Sequence, residues 1–142
     1  MCVEGKGVLI AGPSGSGKTQ TALTVLRRAR AAKLPSFFVA DDQVLLSRVS
    51  GKDELEAACP PPIRNAVEVF GVGILKMDGA FTETAPVHLY ADLVAAEHVS
   101  RMAPEQPRQI LGVSIRELKV PQGHPSLCAT AILSALGVPV WI

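Results

Sequence analysis

The sequence predicts an α/β fold built around a P-loop, a mixed sheet with flanking helices, in a single domain spanning residues 1–142. Three observations lead there. The short apolar run Gly7 to Ala11 breaks into a glycine-rich loop, and a stretch free of Pro and Gly follows from Lys18 to Ala31. Short apolar or alternating segments bounded by Gly and Pro then recur from Ser36 to Val120. Finally, a breaker-free run from Leu127 to Leu136 stands between Pro125 and Gly137.

Each element has a local reason. Gly7 to Ala11 reads as a buried strand entering a loop, because a continuous apolar run needs cover on both faces. In the helix after it, Ala22, Leu26 and Ala29 share one face with Leu23 beside them, while Arg27, Arg28 and Arg30 suit the negative end of the helix dipole. Lys33-Leu34-Pro35 ends it. Ser36 to Ala40 gives a second buried strand capped by Asp41-Asp42, and Val44 to Val49 a third, before the turn Gly51-Lys52-Asp53. Pro60-Pro61-Pro62 excludes regular structure, and Val67 to Phe70 and Val72 to Met77 read as strands around Gly71 and Gly73. Pro86 to Val94 is a further strand, Ala95 to Met102 a short helix, and Gln109 to Val120 holds extended stretches. Pro125 fits a first helical position, and Gly137 with Pro139 marks the stop of the last helix.

Composition narrows the function classes. Hydrophobic residues make up 48% and charged residues 19%, as in a compact fold, whereas 4% aromatics and a net charge of +1 speak against a nucleic-acid partner. No apolar run approaches the ~18 residues of a membrane span, and the first residues lack signal-peptide anatomy, so no membrane partner and a cytoplasmic location are expected. Cys2, Cys59 and Cys128 are widely spaced and read as reduced thiols.

Gly12-Pro13-Ser14-Gly15-Ser16-Gly17-Lys18-Thr19 matches G-x-x-x-x-G-K-S/T at every fixed position, between a strand and a helix where that motif must lie. The glycines let backbone N–H groups turn inward around phosphates, the helix N-terminus adds its positive end, Lys18 reaches the β and γ phosphates, and the Thr19 hydroxyl serves magnesium. No N/T-K-x-D guanine-reading segment occurs, which favours ATP with Mg2+.

The metal needs an acidic partner, and Asp41-Asp42 directly after an apolar strand is placed for it. Two aspartates permit two roles, one holding magnesium and the other accepting the proton of an attacking hydroxyl. Glu68, flanked by Val67 and Val69 and followed by two glycines, either faces the cleft or points to solvent from an alternating strand.

With the P-loop, Ala40-Asp41-Asp42-Gln43-Val44 and Glu68-Val69-Phe70-Gly71-Val72-Gly73-Ile74 in this order and spacing, the chain resembles the catalytic domain of HPr kinase/phosphorylase. The similarity extends through Ser100-Arg101-Met102 and Ile110-Leu111-Gly112-Val113 to Lys119-Val120-Pro121. The resemblance implies a P-loop kinase fold akin to phosphoenolpyruvate carboxykinase, and an ATP- and magnesium-dependent serine kinase acting on an HPr-type phosphocarrier of a bacterial phosphotransferase system. It further implies that Lys18 binds the transferred phosphate, Asp42 is the acid/base, Asp41 supports the metal or the base, Thr19 and Glu68 hold magnesium, and Arg101 belongs to the active site. A homo-oligomer is implied as well.

The departures shape that expectation. The family's catalytic histidine upstream of the loop has no counterpart, Phe70 stands where the family has arginine, and its Gly-Arg-Asn segment is not recognisable around Gly123-His124-Pro125-Ser126. Weak phosphorolysis is therefore expected, in a short form without the N-terminal regulatory domain. Two other readings stay open: a small-metabolite or nucleotide P-loop kinase, although Phe81 to Pro86 lacks the arginines of a lid, and an ATP-binding regulatory module with weakened catalysis.

Overall fold

The computed structural model describes residues 1–139. Three parallel strands form its centre: β2 (Lys6–Ala11), β8 (Thr84–Val94) and β10 (Val113–Pro121), with β8 between the other two. Antiparallel strands extend this sheet on both sides. β1 (Cys2–Val3) and β3 (Ser36–Phe37) lie beyond β2, and β9 (Arg108–Ile110) lies beyond β10. β5 (Leu55–Ala58) pairs with the first half of β8 and carries β4 (Leu45–Arg48) on its outer edge. A separate hairpin consists of β6 (Ala66–Val69) and β7 (Gly73–Lys76).

Helices α1 (Lys18–Ala31) and α2 (Pro125–Ala135) pack on one face of the sheet. α1 buries Thr21, Ala22, Val25, Leu26 and Ala29, the predicted Ala22, Leu26 and Ala29 with Thr21 and Val25 added, while Leu23 beside them is half-buried. Beneath the helices lie Val8, Leu89 and Ala91, with Ile132 and Leu133 of α2 against them. The opposite face has its own core of Val39, Leu55, Ala57, Ala85, Val87, Val113 and Ile115. The mixed sheet with flanking helices therefore stands as expected.

A bulge connects the two cores. In β8 the residues Ala85, Val87, Leu89, Ala91 and Leu93 are all buried, an unbroken alternation that reads as one inward face. Yet Ala85 and Val87 join one core while Leu89 and Ala91 join the other. Gly7 and Val8 pair with Val87 and Leu89, so His88 is the extra residue, and its insertion turns the strand over. The Gly7 N–H donates to His88 Nδ1 at 3.3 Å. Only glycine fits at this point, since a Cβ on residue 7 would lie 2.0 Å from the Pro86 carbonyl oxygen.

Both helices stop in Schellman motifs. Gly137 (φ 70°) donates to Ser134 O and Val138 to Leu133 O, each at 3.0 Å, which is the stop expected at Gly137. At α1 the same pair of bonds runs from Lys33 to Arg30 O and from Leu34 to Ala29 O, with the non-glycine Lys33 at φ 62°.

Several expected elements differ. The strand predicted over Ser36 to Ala40 ends at Phe37, because Phe38 turns its backbone to a neighbouring loop. Its N–H donates to Ala80 O and its carbonyl accepts from Thr82 N–H, both at 2.8 Å, while its ring stacks on Phe81. The helix predicted over Ala95 to Met102 is a single 3-10 turn, Ala96–His98. Val99 is already extended, and the Ser100 hydroxyl donates to Met102 O, a local bond that competes with helix. Pro60-Pro61-Pro62 is not wholly irregular, since Pro61–Ile63 forms a 3-10 turn with prolines at its start, where no N–H is needed. β5 has no counterpart in the sequence reading.

Candidate active site

The P-loop leaves the C-terminal end of β2, beside the matching end of β8, where open α/β sheets gather their ligands. Gly12 lets it leave: a Cβ there would lie 2.7 Å from Ser16 Oγ and 3.0 Å from Leu93 Cβ. Gly15 (φ 77°) and Gly17 (φ 95°) adopt the left-handed region that turns successive N–H groups to one side. Gly17 is also the N-cap of α1, which gives this helix no side-chain cap, and its first turn holds no acidic residue. The free N–H groups and the positive end of the dipole are thus left for an anion.

Three observations test the fit of ATP and magnesium. Lys18 Nζ donates to Gly12 O and Pro13 O, both at 3.0 Å, so the ammonium folds across the mouth of its own loop. Ser16 is 4% exposed and its hydroxyl has no partner among the described residues, an orphaned polar atom inside the loop. Thr19 Oγ1 donates to Asp41 Oδ1 at 2.8 Å, so the hydroxyl expected to serve the metal already faces a carboxylate. These residues fit a magnesium–nucleotide complex. Among the described residues there is no group of three or more His, Cys, Asp or Glu side chains that could hold a metal alone. Magnesium suits such a place, since it is usually held by one or two carboxylates together with substrate phosphates.

Asp41 joins three elements. While Oδ1 accepts from Thr19 at the start of α1, Oδ2 accepts the N–H of Glu68 in β6 at 2.9 Å. One carboxylate therefore ties the P-loop helix to the β6–β7 hairpin. Asp42 follows, exposed, in the loop after Phe38; with Lys18, Thr19, Ala40 and Asp41 it lines a cavity of about 100 Å³ that also reaches Val39, Val44 and Ala57. Glu68 is exposed and pairs across the hairpin with Ile74.

Not every predicted residue converges. Arg101 is exposed in the segment between the 3-10 turn and β9, with no hydrogen bond or ion pair to Lys18, Asp41 or Asp42 among those described. The structure adds a partner that the sequence reading missed. Gly123 N–H donates to Ser16 O at 3.0 Å, so the turn between β10 and α2 buttresses the P-loop and places His124 at the N-cap of α2 nearby. Gly123 itself (φ 76°) was the available signal. Asp92 was also passed over. It is half-buried at the end of an apolar strand segment and in register with Ala11, the last residue before the loop.

The three cysteines are free and buried, and burial pushes each thiol up from its ordinary value. Cys128 Sγ donates to Pro121 O at 3.1 Å, a structural contact. A raised thiol is a poor nucleophile at neutral pH, which leaves these residues out of the chemistry.

The family model of the HPr serine kinase C-terminal domain matches residues 1–135. The chain belongs to this family. Among HPr kinase/phosphorylases, it is 36% identical over 126 residues to that of Chromobacterium violaceum, covering 81% of this chain and 37% of the relative. To that of Alkaliphilus metalliredigens it is 34% identical over 130 residues, covering 85% of this chain and 40% of the relative. The chain thus spans about two fifths of the length of these HPr kinase/phosphorylases. The solved structure of the Hpr(Ser) kinase/phosphatase from Coxiella burnetii superposes with a TM-score of 0.74 at 24% identity, covering 94% of this chain and 90% of that one, which establishes the shared fold. No helix among the described residues is long and apolar enough to cross a membrane.

Proposed function

We propose that this domain is an ATP- and magnesium-dependent kinase that phosphorylates a serine of an HPr-type phosphocarrier protein, a regulatory reaction of the bacterial cytoplasm. The observation that carries this reading is the Asp41 bridge. A nucleotide-binding turn needs a lysine and a hydroxyl, but a transfer site also needs carboxylates fixed beside them, and Asp41 accepts from Thr19 and from the Glu68 backbone at once.

Bound ATP and magnesium supply the γ-phosphoryl group and the charge that offsets its oxygens. The chain supplies the rest. The N–H groups of Gly15, Gly17 and Lys18 would cradle the phosphates, and Lys18, which now holds the carbonyls of Gly12 and Pro13, would turn to the transferred group. Thr19 and Glu68 would hold magnesium, with Asp41 fixing the Thr19 rotamer. Asp42, exposed on the rim of the cavity and without a side-chain partner among the described residues, accepts the proton of the attacking serine. Arg101 stabilises charge on the transferred group once substrate closes the site.

The reading extends to a homo-oligomer and to weak phosphorolysis. Phosphorolysis holds a second anion in line with a phosphoserine, and the exposed Phe70 brings no positive charge to the hairpin. The experiment incubates the purified chain with γ-labelled ATP, magnesium and HPr. Serine-labelled HPr is the expected product, and nucleotide binding without label on HPr would show the reading to be wrong.

A further inference from the structure

The β6–β7 hairpin carries a feature that phosphoryl transfer itself does not use. From Val69 to Leu75 the sequence holds no polar or charged side chain. One face of the ribbon is packed, with Val67 fully buried and Val69 against the helical core. The tip is not: Phe70 is 97% exposed, Ile74 75% and Val72 69%. An apolar patch of this kind marks an interaction site when it is contiguous and held in one shape. Gly71 (φ 81°) and Gly73 (φ 111°) define the turn between the strands, so the tip is a built feature.

The patch is also fixed to the chemistry. Glu68 and Ile74 are cross-strand partners and lie on the same face of the ribbon. The Glu68 N–H is held by Asp41, which holds Thr19 in turn. Whatever lies over Glu68 during transfer therefore meets Ile74 and Phe70.

We infer that Phe70, Val72 and Ile74 form the docking surface for the protein substrate, receiving apolar side chains that flank the acceptor serine. This rests on the kinase reading above. The absence of charge on the tip selects the occupant, because a phosphorylated metabolite or nucleotide acceptor would need cations or hydrogen-bond donors there, and residues 69–75 offer no polar side chain. Area selects against a second copy of the chain. The three side chains expose on the order of 400 Å², about half of the ~800 Å² per partner of a stable interface. That is the scale of a transient contact, completed by the serine in the transfer site.

The test compares wild type with Phe70→Ser, Ile74→Ser, the double substitution and the conservative Phe70→Leu, using purified HPr as substrate. These side chains are exposed, so melting temperature and ATP affinity should stay at the wild-type values. The double substitution should raise KM for HPr by roughly 10-fold or more with kcat little changed, and Phe70→Leu should keep most of the affinity. Labelled HPr with an unchanged KM in all variants overturns the docking inference and leaves the kinase reading standing. No labelled HPr from wild type overturns both. A smaller particle in the double substitution by light scattering overturns the inference in favour of self-association.

Discussion

The two sides of the candidate site are held by different means. On the nucleotide side, Gly12 to Thr19 are eight consecutive residues clamped between β2 and α1, backed by Leu93 and the turn at Gly123. On the hairpin side, Glu68 reaches the site from 27 residues beyond Asp41, through the hydrogen bond of 2.9 Å that its N–H donates to the Asp41 carboxylate, and the tip beyond it stands in solvent. The first is shaped by local backbone geometry and the second by a long-range contact. The hairpin is also seated on the helical core through Val67 and Val69, so the Asp41 bridge fixes the position of Glu68 and not the hairpin as a whole.

Substitutions can break this contrast. Lys18→Ala should have the largest effect, abolishing measurable transfer and weakening ATP binding, because removing a preorganised charge next to the transferred group costs about 10²–10³ in rate or more. Turnover with γ-labelled ATP together with a nucleotide titration checks it, and wild-type turnover would remove the P-loop from the mechanism.

Asp42→Asn and Asp41→Asn sharpen the comparison, because the two carboxylates are adjacent but differently engaged. Asp42→Asn should bind ATP nearly normally and lose ~10²-fold in rate, as for a missing general base. Asp41→Asn should raise the magnesium concentration at half-maximal rate and release the Glu68 amide. Hydrogen exchange at Glu68 would rise by roughly 10-fold, given about 1.5 kcal/mol or more for a hydrogen bond to a charged group. Equal behaviour of the two variants would mean that the division of roles is wrong.

Ser16→Ala should act on the nucleotide side alone and in the opposite direction. Deleting a buried hydroxyl that has no partner removes a desolvation cost, so the nucleotide-free chain should gain about 1 kcal/mol of stability in urea denaturation. A loss of stability would show that the hydroxyl is satisfied. The smallest effect belongs to Lys33→Gly at the C-terminal end of α1. A lysine at φ 62° carries a left-handed penalty that glycine lacks, offset in part by glycine's larger chain entropy, leaving a gain of roughly 0.5 kcal/mol. Transfer rate should not move, which separates helix stability from the site.

Features confined to one stretch of chain were legible beforehand. The P-loop, the buried face of α1 and the stop at Gly137 each follow from spacing and residue type within a few turns of chain. Asp41 and Asp42 were also legible as acids at a strand end, and Glu68 as a charge among apolar strand residues, but their engagement was not. Nothing in residues 36–40 says that Phe38 prefers the backbone of Ala80 and Thr82 over a longer strand. Likewise, Leu55 to Ala58 becomes a strand because β4 and the first half of β8 pair with it on its two sides.

By itself the sequence determined the P-loop and its shape, since glycines at positive φ, a helix N-terminus and the Lys18-Thr19 pair act over eight contiguous residues. Tertiary structure alone decided which carboxylate oxygen meets Thr19 and which meets Glu68, where β8 turns from one core to the other at His88, and that Phe70 stands in water. The physical reason is range. The backbone of a glycine-rich turn is set by neighbours in the chain, while the partner of a carboxylate, the length of a strand or the cover of a sheet face is set by segments tens of residues away, whose arrival depends on the packing of the whole domain.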